Sequence, residues 1–129
     1  MPRTVYDLLR EARATLSRVT PEQASAELGD GALLADVRTE AQRAANGEIP
    51  GTLAIGLNVL EWHLDPASEW RIPQATDHDV RVVVFCQEGY SSSLAAARLQ
   101  SLGLHRATDV IGGFEAWQNA GLPVEPTSP

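Results

Sequence analysis

The sequence has a single cysteine among its 129 residues. One cysteine cannot form an intramolecular disulfide or supply a cysteine-rich zinc site, so Cys86 is either a buried structural thiol or a reactive one. The three histidines, His63, His78 and His105, are far apart and have no carboxylate at ligand spacing. The sequence also has no glycine-rich phosphate loop. We therefore expect neither a metal ion nor an organic cofactor.

Positive charge and long apolar runs are scarce as well. Ten Lys and Arg residues against 17 Asp and Glu residues give a net charge of −7, which disfavours attraction to nucleic acid or anionic lipid. Charged side chains interrupt the first eleven residues, so no apolar run there suits a signal peptide or a membrane span. We expect a cytoplasmic protein whose partners are small molecules or proteins, with no nucleic acid and no membrane among them.

Apolar runs alternate with helical patterns along the chain. Strands are predicted at 16–19, 32–37, 52–55, 80–85 and 108–111, and helices at 4–16, 20–29, 39–45, 59–64, 94–102 and 114–120. This alternation is typical of βα units and predicts an α/β fold with a mostly parallel central sheet of about five strands flanked by helices. Residues 1–18 are interpreted as a helical extension, 19–125 as the main domain and 126–129 as a disordered tail.

The predicted N-terminal helix has one apolar face, with Arg13 on another face. The apolar face consists of Val5, Leu8, Leu9 and Leu16. Because an exposed apolar stripe favours association, we expect it to pack against the domain or against a second subunit, which makes a homodimer one of the expected states.

Cys86 directly follows residues 80–85, the strongest strand signal of the sequence, with four valines and one phenylalanine. Ligands of open parallel sheets bind at the carboxyl ends of strands. The loop after Cys86 leads into a predicted helix whose first turn is capped by Ser91, Ser92 or Ser93, so backbone N–H groups and the helix dipole can stabilise a thiolate. Gly89 suits the tight curvature of such a loop. The alternative is a cysteine that packs as a small apolar side chain.

Three ordered segments resemble the rhodanese family over nearly all of residues 20–124. Residues 34–38 and 47–52 are similar to its first signature, Asp-Val-Arg followed by Gly-His-Ile-Pro-Gly-Ala. Residues 86–91 are similar to its six-residue active loop, Cys-x-x-Gly-x-Arg, except at the last position. Residues 111–117 and 120–124 are similar to its closing signature, Gly-Gly-Phe-x-x-Trp and Ala-Gly-Leu-Pro-Val.

The resemblance implies a rhodanese-like three-layer domain and a sulfurtransferase that works by a ping-pong cycle. Cys86 would be the nucleophile and would carry sulfane sulfur as a persulfide between a small-molecule or protein donor and a thiol acceptor. The substrate-binding residues would be Arg38, Gln87, Glu88, Gly89, Tyr90, Ser91 and Ser92. For Arg38 the alternative is a salt bridge to Asp36.

Two positions depart from the family pattern. Glu48 replaces the usual histidine, and Ser91 replaces the arginine of thiosulfate-active members. The missing guanidinium and the carboxylate of Glu88 disfavour a dianionic donor, so an efficient thiosulfate:cyanide enzyme is not expected. Mercaptopyruvate sulfurtransferases also end the loop with a hydroxyl residue, which leaves that donor class open and makes Arg43 a candidate for its carboxylate.

Two other functions compete with an active sulfur carrier. One is a non-catalytic rhodanese module whose loop binds an anion or a protein. The other is a cysteine phosphatase of similar architecture, which is disfavoured because such enzymes have a longer loop that closes with an arginine.

Overall fold

A computed structural model describes residues 2–127 of the chain. Its helices are α1 (Val5–Ala14), α2 (Pro21–Gly29), α3 (Glu40–Asn46), α4 (Leu60–Leu64), α5 (Ser91–Ser101) and α6 (Gly113–Asn119), and a turn of 3-10 helix, Leu57–Val59, precedes α4. Its strands are β1 (Leu33–Asp36), β2 (Leu53–Ala54), β3 (Val82–Phe85) and β4 (Thr108–Asp109). The predicted order of helices and strands is confirmed.

The strands form one parallel sheet in the order β2-β1-β3-β4. All four residues of β3 are buried, because its side chains point alternately into two apolar layers. Val82 and Val84 pack with α4 and α5, whereas Val83 and Phe85 pack with α2 and α6. The α/β class and the three layers are therefore confirmed.

The described residues contain four strands, one fewer than the sheet of about five that the sequence suggested. The predicted edge strand at 16–19 is reduced to a single parallel bridge between Val19 and Val110, beside β4. The neighbouring residue Arg18 turns its side chain toward Asp109 at the end of β4. This side chain becomes important at the site.

Capping boxes define the starts of the first three helices. The hydroxyls of Thr4, Thr20 and Thr39 each accept a hydrogen bond from the backbone N–H of the third helical residue, and the backbone N–H of each threonine donates to the side chain of that residue. The box at Thr20 follows a local sequence pattern, since Pro21 stands at the first helical position and Gln23 at the third.

Helix α5 begins earlier than the sequence suggested. Tyr90 occupies its N-cap position and makes no side-chain capping hydrogen bond, so Ser91, Ser92 and Ser93 lie inside the first turn. The prediction that these serines cap the helix is wrong. The hydroxyls of Ser92 and Ser93 instead donate to Asp109, at 2.8 and 2.7 Å.

Helix α1 packs on α5, although not with the whole of its apolar face. Ala12 is buried and Leu9 and Leu16 are half-buried, whereas Val5 and Leu8 stay 59% and 45% exposed. Only part of the predicted apolar face, Leu9 and Leu16, therefore packs against the domain. Association with a second subunit stays a prediction.

The end of the chain returns to α3. Glu125 forms an antiparallel bridge with Glu48, and the Thr127 hydroxyl donates to the Arg43 carbonyl at 2.7 Å. The predicted disordered tail, 126–129, lies partly outside the described residues, which end at 127. Within residues 2–127, no helix is long and apolar enough to cross a membrane.

We predict that deleting residues 1–15 lowers the Tm by about 10 °C. The deletion removes the packing of Ala12 and its half-buried neighbours against α5. We expect this packing to contribute roughly 2–3 kcal/mol to the free energy of unfolding of a domain of this size. Differential scanning calorimetry is the measurement, and Tyr6→Ser, at a side chain that is 71% exposed, is the control that should leave the Tm unchanged. An unchanged Tm and an unchanged mass in solution after the deletion would contradict the packing described here.

Candidate active site

Cys86 lies immediately after β3, where the carboxyl ends of β1, β3 and β4 meet. Its side chain is 6% exposed. The backbone N–H groups of Gly89 and Ser92 donate to its Sγ at 3.2 and 3.4 Å. Ser92 is in the first turn of α5, whose N–H groups have no partner within the helix, and this explains why the sulfur can occupy that position. The loop thus wraps around the sulfur as predicted.

Glycines allow the loop to curl this tightly. Gly89 has a φ of +89°, and a Cβ placed on it would lie 2.8 Å from the backbone nitrogen of Gly112. A Cβ on Gly113, whose φ is +61°, would collide with the carbonyl oxygen of Cys86. Because neither glycine has a side chain, the first residues of α6 can pack directly against the loop. There the N–H groups of Phe114 and Glu115 donate to the carbonyls of Cys86 and Gln87, at 2.9 and 3.0 Å.

The surroundings of Cys86 favour its thiolate. Burial raises the pKa of the thiol, but the hydroxyls of Ser92 and Ser91 and the amides of Ser92 and Gly89 lower it, and the pKa ends below the ordinary value of a cysteine. The Ser92 hydroxyl also lies 2.8 Å from Asp109 Oδ2. A hydroxyl has one proton and serves one acceptor at a time. We therefore regard the two backbone amides as the donors that act on the sulfur without competition.

Asp109 is a site residue that the sequence analysis missed. It is fully buried, and Arg18 donates to it through Nε at 2.8 Å and Nη2 at 3.2 Å. The hydroxyls of Ser92 and Ser93 complete its hydrogen bonds. The sequence did contain a signal for this residue, because Asp109, like Asp36, is the last residue of a strand and so lies at the carboxyl end of the sheet. Sequence alone did not indicate that Arg18 would be its partner.

Arg38 is buried beside the loop, and its guanidinium is engaged by the protein itself. It pairs with Asp36 through Nε at 3.1 Å and Nη2 at 2.9 Å. It also donates to the Gly47 carbonyl at 2.8 Å and to Gln87 Oε1 at 3.3 Å, and it lies 4.0 Å from the centre of the Phe114 ring. Four of its five N–H groups are thereby used. The salt bridge to Asp36, the alternative considered for Arg38, is the geometry observed.

Arg43, the second arginine considered for binding an anionic donor, lies close to Glu48, which replaces the usual histidine of the family pattern. Its Nη1 donates to the Arg38 carbonyl at 2.7 Å, and its Nε lies 3.6 Å from the carboxylate of Glu48. Glu48 therefore competes with a substrate carboxylate for this guanidinium.

The remaining loop residues face solvent to different degrees. Gln87 is half-buried, whereas Glu88, Tyr90 and Ser91 are exposed. Among residues 2–127, the backbone N–H groups of Glu88, Tyr90 and Ser91 meet no acceptor. Ser91 also lines two grooves, one of about 820 Å³ between α1 and α5 and one of about 400 Å³ shared with Tyr90. The predicted loop residues are thus brought together around Cys86, and three of their amides have no acceptor among the described residues.

A thiolate held in this way has two chemical capacities. It is a nucleophile, because its negative charge is stabilised without being neutralised by a proton. The free amides of the loop can also donate hydrogen bonds to acceptors that approach the sulfur, such as a second sulfur atom that carries negative charge. In the part of the chain described, no three metal-ligating side chains cluster here or elsewhere.

Comparisons with known proteins agree with this geometry. Residues 20–120 match the rhodanese-like domain family. The thiosulfate sulfurtransferase GlpE of Actinobacillus succinogenes is 36% identical over 110 residues, which cover 84% of this chain and 90% of that protein. The enzyme of the same name from Pseudomonas savastanoi is 39% identical over 101 residues, covering 78% and 86%.

A solved structure extends the similarity to the N-terminal helix. A protein of unknown function from Rhodopseudomonas palustris, described as a possible tyrosine phosphatase, superimposes with a TM-score of 0.87 and 31% identity over 97% of this chain and 96% of its own. The order of the signatures, the loop around Cys86 and the match over residues 20–120 lead to one conclusion. This chain belongs to the rhodanese-like domain family.

Proposed function

We propose that this rhodanese-type sulfurtransferase carries sulfane sulfur as a persulfide on Cys86 and passes it to a thiophilic acceptor. The observation that carries the proposal is the arrangement of loop amides. Two of them, from Gly89 and Ser92, donate to Sγ, while those of Glu88, Tyr90 and Ser91 have no acceptor among the described residues. The first set stabilises the thiolate, and the second set can stabilise the outer sulfur of a persulfide.

Each half of the cycle is balanced without an added oxidant. The Cys86 thiolate attacks the transferable sulfur of the donor, and a sulfur–sulfur bond forms. The donor leaves with the electron pair of the bond that breaks, which is the S–S bond of a persulfide or polysulfide or the C–S bond of mercaptopyruvate, which leaves as the enolate of pyruvate. A thiolate acceptor then attacks the outer sulfur of the persulfide and takes it, and the electron pair returns to Cys86. The loop holds one negative charge on sulfur at both stages, which is what its fixed amides favour.

The residues near the loop support a donor other than thiosulfate. Ser91 has no guanidinium, Glu88 adds an exposed carboxylate, and Arg38 has one N–H group left for an anion. The GlpE relatives carry thiosulfate in their names. We nevertheless propose a protein persulfide, mercaptopyruvate or a polysulfide as donor here, because a dianion is poorly matched to these charges.

Two alternatives lead to different measurable outcomes. A non-catalytic rhodanese module would bind ligands at the loop but gain no sulfur on Cys86. A phosphatase is suggested by the description of the Rhodopseudomonas palustris protein. Phosphoryl transfer relies on cationic groups around the phosphate, and the loop here ends in Ser91 where a closing arginine would be needed. The sulfurtransferase is therefore favoured over both.

The proposal requires a sulfur donor and a thiol acceptor as partners. A cytoplasmic location and a homodimer remain predictions from the sequence.

We predict that Cys86 gains one sulfur atom when the protein is incubated with a polysulfide donor. Intact-protein mass spectrometry measures the gain, and a thiol acceptor should remove it. Cys86→Ser should abolish both steps and keep the fold, because the change is nearly isosteric while a serine hydroxyl forms no persulfide. Parallel assays with an aryl phosphate should show no hydrolysis. Absence of any sulfur adduct with protein, mercaptopyruvate and polysulfide donors would favour the binding module, and phosphate ester hydrolysis that depends on Cys86 would favour the phosphatase.

We predict that iodoacetamide labels Cys86 with a pH midpoint below that of glutathione. The pKa of Cys86 is lowered, so the thiolate persists as the pH falls and labelling declines only at lower pH. Ser92→Ala tests which donors matter, since it removes the hydroxyl but keeps the amide. The midpoint of this variant should stay close to that of the wild type. A wild-type midpoint at or above that of glutathione would show that the loop does not activate the sulfur.

We predict that Ser91→Arg combined with Glu88→Gln raises kcat/KM for thiosulfate relative to an uncharged polysulfide. A guanidinium that makes charge-assisted hydrogen bonds to an oxyanion contributes roughly 1.5–3 kcal/mol, so the ratio between donors should rise about tenfold to a hundredfold. The ratio is informative because a general change in Cys86 reactivity would alter both donors together. If the wild type already uses thiosulfate as well as the double variant does, the interpretation of Ser91 is wrong.

A further inference from the structure

Two arginines from outside the matched family region contact the loop around Cys86. Arg13, on α1, donates through Nη2 to the Gly89 carbonyl at 2.8 Å. Arg18, in the segment after α1, donates to the same carbonyl at 3.1 Å. The match to the rhodanese-like domain family begins at residue 20. Both side chains therefore belong to the N-terminal extension, which the sequence analysis treated as separate from the site.

The contact acts on the residue that supplies a hydrogen bond to the sulfur. Gly89 donates its N–H to Cys86 Sγ at 3.2 Å, while its C=O is held by the two guanidinium groups on the other side. Glycine has the widest choice of backbone conformations of any residue, and here it must keep a φ of +89°. The C=O of Gly89 belongs to the peptide group after its Cα, and its N–H to the peptide group before it. Holding the C=O fixes the following peptide group and the Cα, and this limits how far the N–H can move away from the sulfur.

We propose that Arg13 is a positioning residue for sulfur transfer, which keeps the Gly89 amide directed at Cys86 by holding the Gly89 carbonyl. The helical extension then contributes a residue to the active site. This inference rests on the proposed function only where transfer is the readout, because the position of the amide affects the reactivity of Cys86 with any electrophile.

Arg13 is the better of the two arginines to test. Its hydrogen bonds run to Gly89 and, through Nε at 3.0 Å, to Ser93 Oγ, and its guanidinium lies 5.7 Å from the Tyr90 ring. Arg18 instead neutralises the buried carboxylate of Asp109. Removing Arg18 would leave that charge uncompensated in the interior and would destabilise the whole domain. Substitutions of Arg13 leave the ion pair between Arg18 and Asp109 intact.

The chain offers a matched control on the same helix. Arg10 lies three residues before Arg13, is 70% exposed and pairs with Asp7 at 2.6 Å, within α1. Arg10→Ala removes the same charge and the same side-chain length as Arg13→Ala, but no contact with the loop. Arg13→Lys is the conservative variant, because it keeps the charge and one donor that can reach the Gly89 carbonyl.

The experiment measures Cys86 reactivity, loop protection and transfer in the full-length chain. For Arg13→Ala we expect iodoacetamide labelling at pH 7 and kcat/KM for a polysulfide to fall about fivefold, the effect of weakening one hydrogen bond to the sulfur. Hydrogen exchange at the Gly89 amide should become faster. Arg10→Ala should match the wild type in all three, and Arg13→Lys should recover part of the loss.

A pH profile of labelling separates positioning from a general loss of stability. The other charged groups that reach the loop keep their charge in these variants: Arg18 at the Gly89 carbonyl, Asp109 through Ser92, Arg38 and Glu115 through Gln87, and Glu88 in the loop itself. A shift of the midpoint to higher pH in Arg13→Ala would therefore reflect the changed amide. If Arg13→Ala is too unstable to assay, the comparison of Arg13→Lys with the wild type replaces it.

Two results would overturn the inference. The first is a lowered Tm in Arg13→Ala with unchanged labelling, unchanged pH midpoint and unchanged exchange at Gly89, which would indicate packing alone. The second is an equal loss of reactivity in Arg10→Ala, which would indicate an effect of net charge. Failure of the proposed function looks different: no donor would load Cys86 in the wild type, while Arg13→Ala would still slow labelling and so support the positioning role.

Discussion

The arrangement of this domain follows from one requirement, which is to hold a negatively charged sulfur inside a folded protein. An unpaired buried charge is strongly disfavoured, so the sulfur needs donors that are fixed before it ionises. Cys86 obtains them from the amides of Gly89 and Ser92 because α5 begins directly after a five-residue loop. The start of α6 supports the loop from beneath, since its N–H groups bind the carbonyls of Cys86 and Gln87. The closely packed glycines at 89, 112 and 113 are what allow these segments to meet.

Two ion pairs with buried carboxylates flank the loop and connect it to the neighbouring strands. On the β1 side, Asp36 binds Arg38, which donates to the Gln87 side chain. On the β4 side, Asp109 binds Arg18, which donates to the Gly89 carbonyl. Each acid closes a strand next to β3, and each arginine reaches a loop residue. Buried ion pairs contribute little net stability, because desolvation offsets their attraction. Their benefit here is geometric, since they orient a loop whose amides must point at one atom.

This arrangement also bears on substrate choice in a rhodanese-type sulfurtransferase. The cations nearest to Cys86 are used to hold the loop, and their donors are directed at protein oxygens. The stabilisation of the sulfur therefore comes mainly from neutral amides. This supports the proposed preference for the single charge of a thiolate or a persulfide over the charge of a dianionic donor. The exposed carboxylate of Glu88 acts in the same direction.

The sequence by itself determined the parts of this protein that depend on neighbouring residues. The capping box at Thr20, the buried run before Cys86 and the glycine in the loop are local patterns, and local periodicity and backbone preference are sufficient to interpret them. Only the tertiary structure decided which distant side chains support the loop. Arg18 and Asp109 are 91 positions apart, and Arg13 and Gly89 are 76 apart. Arg13 therefore looked like a surface residue, because its burial depends on how α1 packs against α5. The serines after Tyr90 looked like caps for the same reason, since their acceptor, Asp109, reaches them through the pairing of β3 with β4.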